Sequence, residues 1–445
     1  MVELSLLKGT NDHLPEEQLL REKILEIIKE VFQLYGFRPL TTPILEKWDI
    51  LSSKYAGGAE ILKETYRLTD QGNRELGLRY DLSVPLARLI GMNPKIGRPF
   101  KRYEIGTCFR DGPIKKGRYR EFVQCDADII GVASTLADAE CLALAHHLFS
   151  RLGLDVYLEV NNRKLLTGIL LAAGVPKHIL DTTILSIDKL KKIGMDGVRE
   201  ELEVKGVPSN IIDEVFSYFN YEGSYLEILS QLEPRIGNKI GKEGINELRE
   251  LHHYLQLFNI EDKVKLLYSL ARGLEIYTGT VFEAFLKEAG IIDSSLCGGG
   301  RYDKIIGKFI GIKDEQYPAT GISFGLDTIY DAFVTRWESK PSVTDVFLIS
   351  INTLDTIMKL AIELRQNNIC AEFDLLNRSL SKNLDYANRS KIPYVIILGE
   401  RDLANKNVTL RVMRDGSEQK INFKQVVNKL TQLLNNDKEG MKLKD

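Results

Sequence analysis

The chain has 445 residues, of which 44% are hydrophobic and 27% charged, and its formal net charge at pH 7 is −2. Those figures suit an ordinary globular protein of two or three domains. They exclude a protein that grips nucleic acid through its overall charge, and no apolar run approaches the ~20 residues of a membrane span.

At the amino terminus, MVELSLLKGT lacks the charged-then-apolar pattern of a signal peptide, so a cytoplasmic protein with no membrane partner is expected. The cysteines at 108, 125, 141, 297 and 370 are widely spaced and form no CxxC. Histidines cluster only as His146-His147 and His252-His253, so neither a zinc site nor a disulfide framework is expected.

Taken in order, residues 15–35 carry Leu20, Ile24, Ile27, Ile28, Val31 and Phe32 at three-and-four spacing between Pro15 and Gly36, which predicts an amphipathic helix. Phe37 to Glu46 reads as extended and holds Pro43. Strands are expected at 66–68 and 75–79, around a turn at Asp70-Gln71-Gly72-Asn73. Asp81, at the lip of the second strand, suits an ammonium partner or the cap of a helix over 83–90. Residues 101–109 and 121–130 are rich in aromatic and branched side chains and predict a long antiparallel hairpin. Arg110 stands where its first strand ends, and its loop holds Asp111, Gly112, Lys115, Lys116, Gly117, Arg118 and Arg120. Fixed cations on a rigid sheet suit a polyanionic ligand, because arginine forks match phosphate oxygens. A solvated turn is the plain alternative.

A helix over 134–152 and a strand over 155–160 follow. From about 165 to about 258, helical patches broken by glycine and proline predict a mostly helical insertion. Its Lys189, Lys191 and Lys192, set against Glu200, Glu201 and Glu203, read as a solvated face. A strand is expected after Arg272, and Gly298-Gly299-Gly300 reads as a tight turn leading to a helix, with backbone free to approach a ligand. Residues 320–329 read as a strand entering a helix, and 337–342 as a linker. Strands then alternate with helices over 343–435, which predicts an α/β domain with a mostly parallel sheet, and 436–445 form a charged tail.

The succession Tyr103-Glu104-Ile105-Gly106, Cys108-Phe109-Arg110-Asp111, Lys116 to Phe122 and Gln124-Cys125-Asp126 closely resembles motif 2 of class II aminoacyl-tRNA synthetases, in its histidyl-tRNA synthetase form. Ala271 to Glu283 followed by Leu296 to Asp303 resembles the two motifs peculiar to that family. The helix, strand and Pro43 resemble motif 1, and Thr320 to Ile329 resembles motif 3. The resemblance covers essentially the whole chain. It implies an α+β catalytic domain over 1–335 on an antiparallel sheet, with the helical insertion at about 165–258, then an anticodon-binding α/β domain over 343–435. Motif 1 implies a homodimer. The family implies L-histidine, ATP with Mg²⁺ as substrate, tRNA(His) as partner and no tightly bound cofactor. Residue by residue, it implies Arg110 and Arg272 on the α-phosphate, with Arg272 standing where other class II enzymes use a metal. Asp81, Ser83, Gln124, Tyr277, Tyr302 and Gly300 would surround histidine, and Arg118 and Gly325 would join the two arginines around ATP. Lys115, Lys116 and Arg120 would meet the tRNA acceptor end.

The chain departs from the family pattern at three places. Gly112 stands where a glutamate usually meets adenine, Thr328 where an arginine usually holds the γ-phosphate, and Ile276 where a tyrosine is usual. Two other readings therefore stay open: a catalytically silent paralogue serving as a histidine-sensing regulatory subunit of histidine biosynthesis, and a non-catalytic tRNA-binding sensor. Arg110, Arg272, Tyr277, Tyr302 and the carboxy-terminal domain favour the enzyme.

Overall fold

The computed structural model describes residues 4–54, 62–114, 117–272, 276–288, 290, 292, 294–310, 317–334 and 342–440. Lys115, Lys116, Gly273-Leu274-Glu275, residues 337–341 of the linker and 441–445 of the tail lie outside the described residues. The chain divides into two compact units, one from residues 1–13 and 21–336, the other from 14–20 and 337–445.

α1 (Pro15–Leu34), whose residues 21–34 belong to the first unit, buries Ile24, Ile28, Val31 and Phe32 of the predicted stripe there. Then come β1 (Arg38–Pro39), β2 (Leu45–Lys47), α2 (Trp48–Lys54), β3 (Arg67–Thr69), β4 (Glu75–Leu78) and α3 (Ser83–Met92). The hairpin is β5 (Phe100–Phe109) and β6 (Glu121–Ile130), followed by α4 (Leu136–Arg151) and β7 (Val156–Asn162). A helical segment holds α5 (Arg163–Ala172), α6 (Leu180–Ile187), α7 (Leu190–Val204), α8 (Ser209–Ser217), α9 (Tyr225–Leu232) and α10 (Lys239–Leu257). The chain returns to the sheet through β8 (Val264–Leu266), β9 (Thr280–Leu286) and β10 (Cys297–Arg301), then α11 (Ile305–Ile310), β11 (Ala319–Gly325) and α12 (Leu326–Phe333).

Eight strands form one sheet in the order β1-β5-β6-β11-β10-β9-β7-β8. Pairing is antiparallel except at the edges, where β1 runs parallel to β5 and β8 parallel to β7. Successive side chains on a strand point to opposite faces, so the sheet has two characters. One face is apolar: Phe324 lies 5.8 Å from Phe32 of α1 and 5.7 Å from Phe149 of α4, with Cys125 and Ala127 buried beside it. Burying each such ring stabilises the fold by roughly 1.5–3 kcal/mol. The other face is left largely to polar residues and glycines.

The glycine triplet corrects one expectation. Gly298-Gly299-Gly300 is no turn but the buried middle of β10. A Cβ on Gly299 would stand 2.0 Å from the Gly321 carbonyl oxygen, so only glycine lets β10 lie against β11 here.

The second unit contains β12 (Val346–Ile351), α13 (Leu354–Gln366), β13 (Ala371–Phe373), α14 (Leu380–Arg389), β14 (Tyr394–Gly399), α15 (Glu400–Ala404), β15 (Asn407–Val412), β16 (Glu418–Asn422) and α16 (Val426–Gly440). Its sheet runs β13-β12-β14-β15-β16 and is mixed rather than mostly parallel. β12 is parallel to both neighbours, whereas β14, β15 and β16 pair antiparallel. The connections after β14 are too short for the crossover that parallel strands need. Val346, Leu348, Leu360, Leu364, Ile396 and Leu430 form its core, and α16 continues into the stretch expected to be tail. Among the described residues no helix is long and apolar enough to cross a membrane.

Candidate active site

The polar face of the large sheet can be read in rows, because residues paired across strands share a face. One row runs Glu104, Asp126, Ser323, Gly298, Glu283, Glu159 across β5, β6, β11, β10, β9 and β7. The next runs Arg102, Asp128, Gly321, Gly300, Val281, Asn161. On the opposite side of the first row, Gly106, Gln124 and Gly325 stand in register. Glycine recurs in the middle of the first two rows, leaving a floor with few side chains between two charged walls.

Arg272 and Tyr277 lie over that floor. A Cβ on Gly298 would fall 1.3 Å from Nη1 of Arg272, and one on Gly300 would fall 2.9 Å from the Tyr277 ring. The Arg272 guanidinium donates to the Phe282 carbonyl at 3.3 Å, pairs with Glu283 at 3.4 Å and lies 5.8 Å from the Tyr277 ring centroid. Burial alone would lower the Arg272 pKa, but Tyr277 and Glu283 beside it raise it, so the cation is secure. In turn, burial pushes the Tyr277 phenol up, keeping it a neutral hydrogen-bonding group.

On the other wall, Gln124 donates through Nε2 to Ser323 Oγ at 2.8 Å. Its Oε1, and Oδ1 of Asp126, are buried with no hydrogen-bond partner among the described residues. Tyr302 donates to Asp128, and burial with that carboxylate lifts its phenol well above the usual range. Arg102, with no exposure at all, reaches Asp128 at 2.8 Å, and Arg79 reaches Glu104 at 3.0 Å. Asp126 and Asp128 were not singled out from sequence as ligand contacts. The available signal was their two-residue spacing from Gln124, which puts all three on one face of β6.

Burial pushes the Asp126 carboxyl up to about 7, with Arg102 pulling it down and Asp128 and Asp81 pushing it up. A carboxyl so shifted keeps its proton in the fold and loses it near ~3.9 in the unfolded chain, so stability falls as pH rises from about 4 to about 7. Asp126→Asn is expected to flatten that fall, as measured by urea midpoints at about pH 5 and about pH 7.5.

Asp81 makes the capping contacts considered from sequence: Oδ1 accepts from the Ser83 and Val84 amides at 3.1 Å each, at the start of α3. Arg110 lies between aromatic rings, 4.1 Å from the Tyr80 centroid and 4.7 Å from that of Phe122, and its Nε donates to the Tyr80 carbonyl at 3.3 Å. Stacking of this kind fixes a guanidinium plane while leaving hydrogen-bond donors at its edge. Arg118 is exposed and 3.4 Å from Glu64, and Arg120 pairs with Asp111 at 2.9 Å. Gly325 precedes the first turn of α12, opposite Gln124.

Two of the departures from the family pattern have identifiable neighbours. A Cβ on Gly112 would stand 3.0 Å from the Glu64 carboxylate, which also receives the Tyr80 hydroxyl at 3.4 Å. A carboxylate thus occupies the space beside Gly112 from elsewhere in the chain. Thr328 is buried and donates to the Gly117 carbonyl at 3.3 Å, tying α12 to the hairpin loop. Lys191 is exposed, as expected of a solvated face, but its Nζ also lies 2.8 Å from Glu159, because β7 presents that carboxylate beside the start of α7.

A family model described as Histidyl-tRNA synthetase matches residues 9–329, and one described as Anticodon binding domain matches residues 345–433. The chain is 46% identical to Histidine--tRNA ligase 1 of Bacillus anthracis over 431 residues, which span 96% of this chain and 100% of that protein. It superposes on the crystal structure of histidyl-tRNA synthetase from Nostoc sp. PCC 7120 with a TM-score of 0.85 and 26% identity, covering 97% of this chain and 100% of that one. A structure from Bacillus halodurans C described as an ATP phosphoribosyltransferase regulatory subunit/histidyl-tRNA synthetase shares the fold, with a TM-score of 0.75 at 22% identity, over 90% of this chain and 99% of that one. Matched along nearly its whole length, the chain belongs to the histidyl-tRNA synthetase family of aminoacyl-tRNA ligases.

Proposed function

We propose that the protein activates L-histidine with ATP and transfers it to tRNA(His). The histidine carboxylate attacks the α-phosphorus of ATP, supplied as its Mg²⁺ complex, and pyrophosphate leaves. A hydroxyl of the terminal ribose of tRNA then displaces AMP from the histidyl-adenylate. Little covalent chemistry falls to the protein, so catalysis rests on positioning and on fixed charge.

The observation that carries this reading is the Arg272 guanidinium, laid over Gly298 and held by Phe282 and Glu283 above a floor with few side chains. Arg272 and Arg110 take the charge that builds on the α-phosphate. The unpartnered oxygens of Gln124 and Asp126 offer acceptors for the ammonium and imidazole N–H groups of histidine, with Asp81, Tyr277 and Tyr302 completing the pocket and Ser83 and Gly300 shaping it. Arg118 and Gly325 flank ATP, and Arg120, with Lys115 and Lys116, faces the acceptor end of tRNA. In this reading residues 1–335 are the catalytic domain, about 165–258 an insertion toward the acceptor stem, and 343–435 the anticodon reader. The protein works as a cytoplasmic homodimer.

Gly112 and Thr328 favour a second reading, in which the same pocket binds histidine and makes no adenylate. Histidine-dependent exchange of pyrophosphate into ATP separates the two. Exchange with histidine alone among the amino acids is expected; its absence with histidine binding intact selects the silent paralogue.

A further inference from the structure

Arg272 has a left-handed backbone, with φ +45°, a conformation that a residue with a side chain adopts only when its surroundings impose it. What imposes it comes from the helical segment. Asp188 follows the last residue of α6, and its Oδ1 accepts from the Ala271 amide at 3.0 Å and the Arg272 amide at 2.9 Å. Hydrogen bonds to a carboxylate are stronger than those between neutral groups, and two successive amides on one oxygen fix the turn.

The guanidinium end of Arg272 is tied to the same corner by a longer route. Glu283, its ion-pair partner, stands directly across from Glu159 in the β7–β9 register. Like charges in that position repel. Lys191, three residues after Asp188, meets Glu159 Oε1 at 2.8 Å and covers the Phe285 ring at 4.5 Å. The other Glu159 oxygen is buried and has no hydrogen-bond partner among the described residues. Without Lys191, Glu159 is a second buried carboxylate beside Glu283, drawing Arg272 away from the site.

We propose that the corner between α6 and α7 positions Arg272 from both ends, Asp188 by fixing its backbone and Lys191 by neutralising Glu159 so that the guanidinium stays with Glu283. Both are positioning residues. The proposal rests on the role given to Arg272 above, and it makes the helical segment part of the adenylation machinery rather than only a neighbour of it.

Asp188→Ala is expected to lower kcat of histidine-dependent pyrophosphate exchange by up to ~10²-fold, with KM for histidine nearly unchanged. Asp188→Asn keeps an oxygen in place and is expected to retain most of the rate. Lys191→Met is expected to slow exchange, and adding Glu159→Gln to restore it, a rescue that a merely structural lysine does not give. Independently of turnover, hydrogen exchange at the Ala271 and Arg272 amides is expected to be slow in the native protein and in Asp188→Asn, and fast in Asp188→Ala. Amides still protected in Asp188→Ala, or a native kcat with those amides exposed, overturn the backbone clamp. Failure of Glu159→Gln to rescue Lys191→Met overturns the charge route. A native protein that exchanges no pyrophosphate overturns the reading of the reaction instead, and the amide protection still decides the clamp.

Discussion

Arg272→Ala is expected to slow histidyl-adenylate formation by ~10²–10³, the usual loss when one preorganised donor is taken from a developing negative charge. The guanidinium is held at three points, the Phe282 carbonyl, the Glu283 carboxylate and the surface of Gly298, so it needs no reorganisation as the α-phosphate gains charge. The loss should fall on kcat and on kcat/KM for histidine together, because the interaction forms with the transition state rather than with the bound amino acid. Arg272→Lys should recover little of it, since an ammonium lacks the planar fork that reaches a phosphate and Glu283 at once. Single-turnover formation of adenylate, followed by quenching and chromatography, measures both variants. A near-native rate in Arg272→Ala would remove this residue from the chemistry.

Gly298→Ala and Gly299→Ala should separate activity from stability. The new methyl at 298 would meet Arg272 Nη1 at 1.3 Å, and that atom ends a flexible side chain. The guanidinium swings aside, the strand keeps its pairing, and the variant should lose adenylation nearly as fully as Arg272→Ala while melting close to the native temperature. The methyl at 299 would meet the Gly321 carbonyl at 2.0 Å and Ile322 Cα at 2.8 Å, both backbone atoms. Neither can move without parting β10 from β11 in the middle of the sheet. Overpacking a well-filled interior typically destabilises by ~1–3 kcal/mol and more where the neighbour is rigid. Gly299→Ala should therefore show a clear fall in its unfolding midpoint or fail to accumulate folded. Equal loss of stability in the two variants would contradict this assignment of their neighbours.

Why some of this was legible in sequence and some was not has a physical basis. The β5–β6 hairpin and α1 were legible because their signals are local: branched and aromatic runs, a three-and-four stripe, polar residues in between; the antiparallel sheet came only with the family resemblance. The glycine triplet misled because its reason lies elsewhere in the chain, in Arg272, Tyr277 and Gly321. Three glycines in a row with no visible neighbour read as a turn; three glycines with those neighbours are the one strand that fits. Lys191 is exposed as it reads, but its partner was hidden for a similar reason, since Glu159 is 32 residues away and only the fold brings it close. Asp126 sat at the end of a recognised motif and Asp128 just beyond it, but their weight depends on Arg102 and Tyr302, which cross-strand register and a separate loop deliver. The mixed sheet of the second unit followed from short connections after β14 that alternation alone did not reveal.

The buried patch behind Gln124 has an unbalanced count. Two guanidinium groups, Arg79 and Arg102, stand among three carboxylates, Glu104, Asp126 and Asp128. The patch is short of one positive charge, and Asp126 makes up the shortfall by keeping its proton to about neutral pH. An amino acid arriving with a cationic group brings the same charge to the same place, and the proton then has no reason to stay. In the function proposed above, capture of the amino acid is then an exchange of one cation for another with the hydrogen ion as its competitor, so acidifying the surroundings should weaken loading of the amino acid.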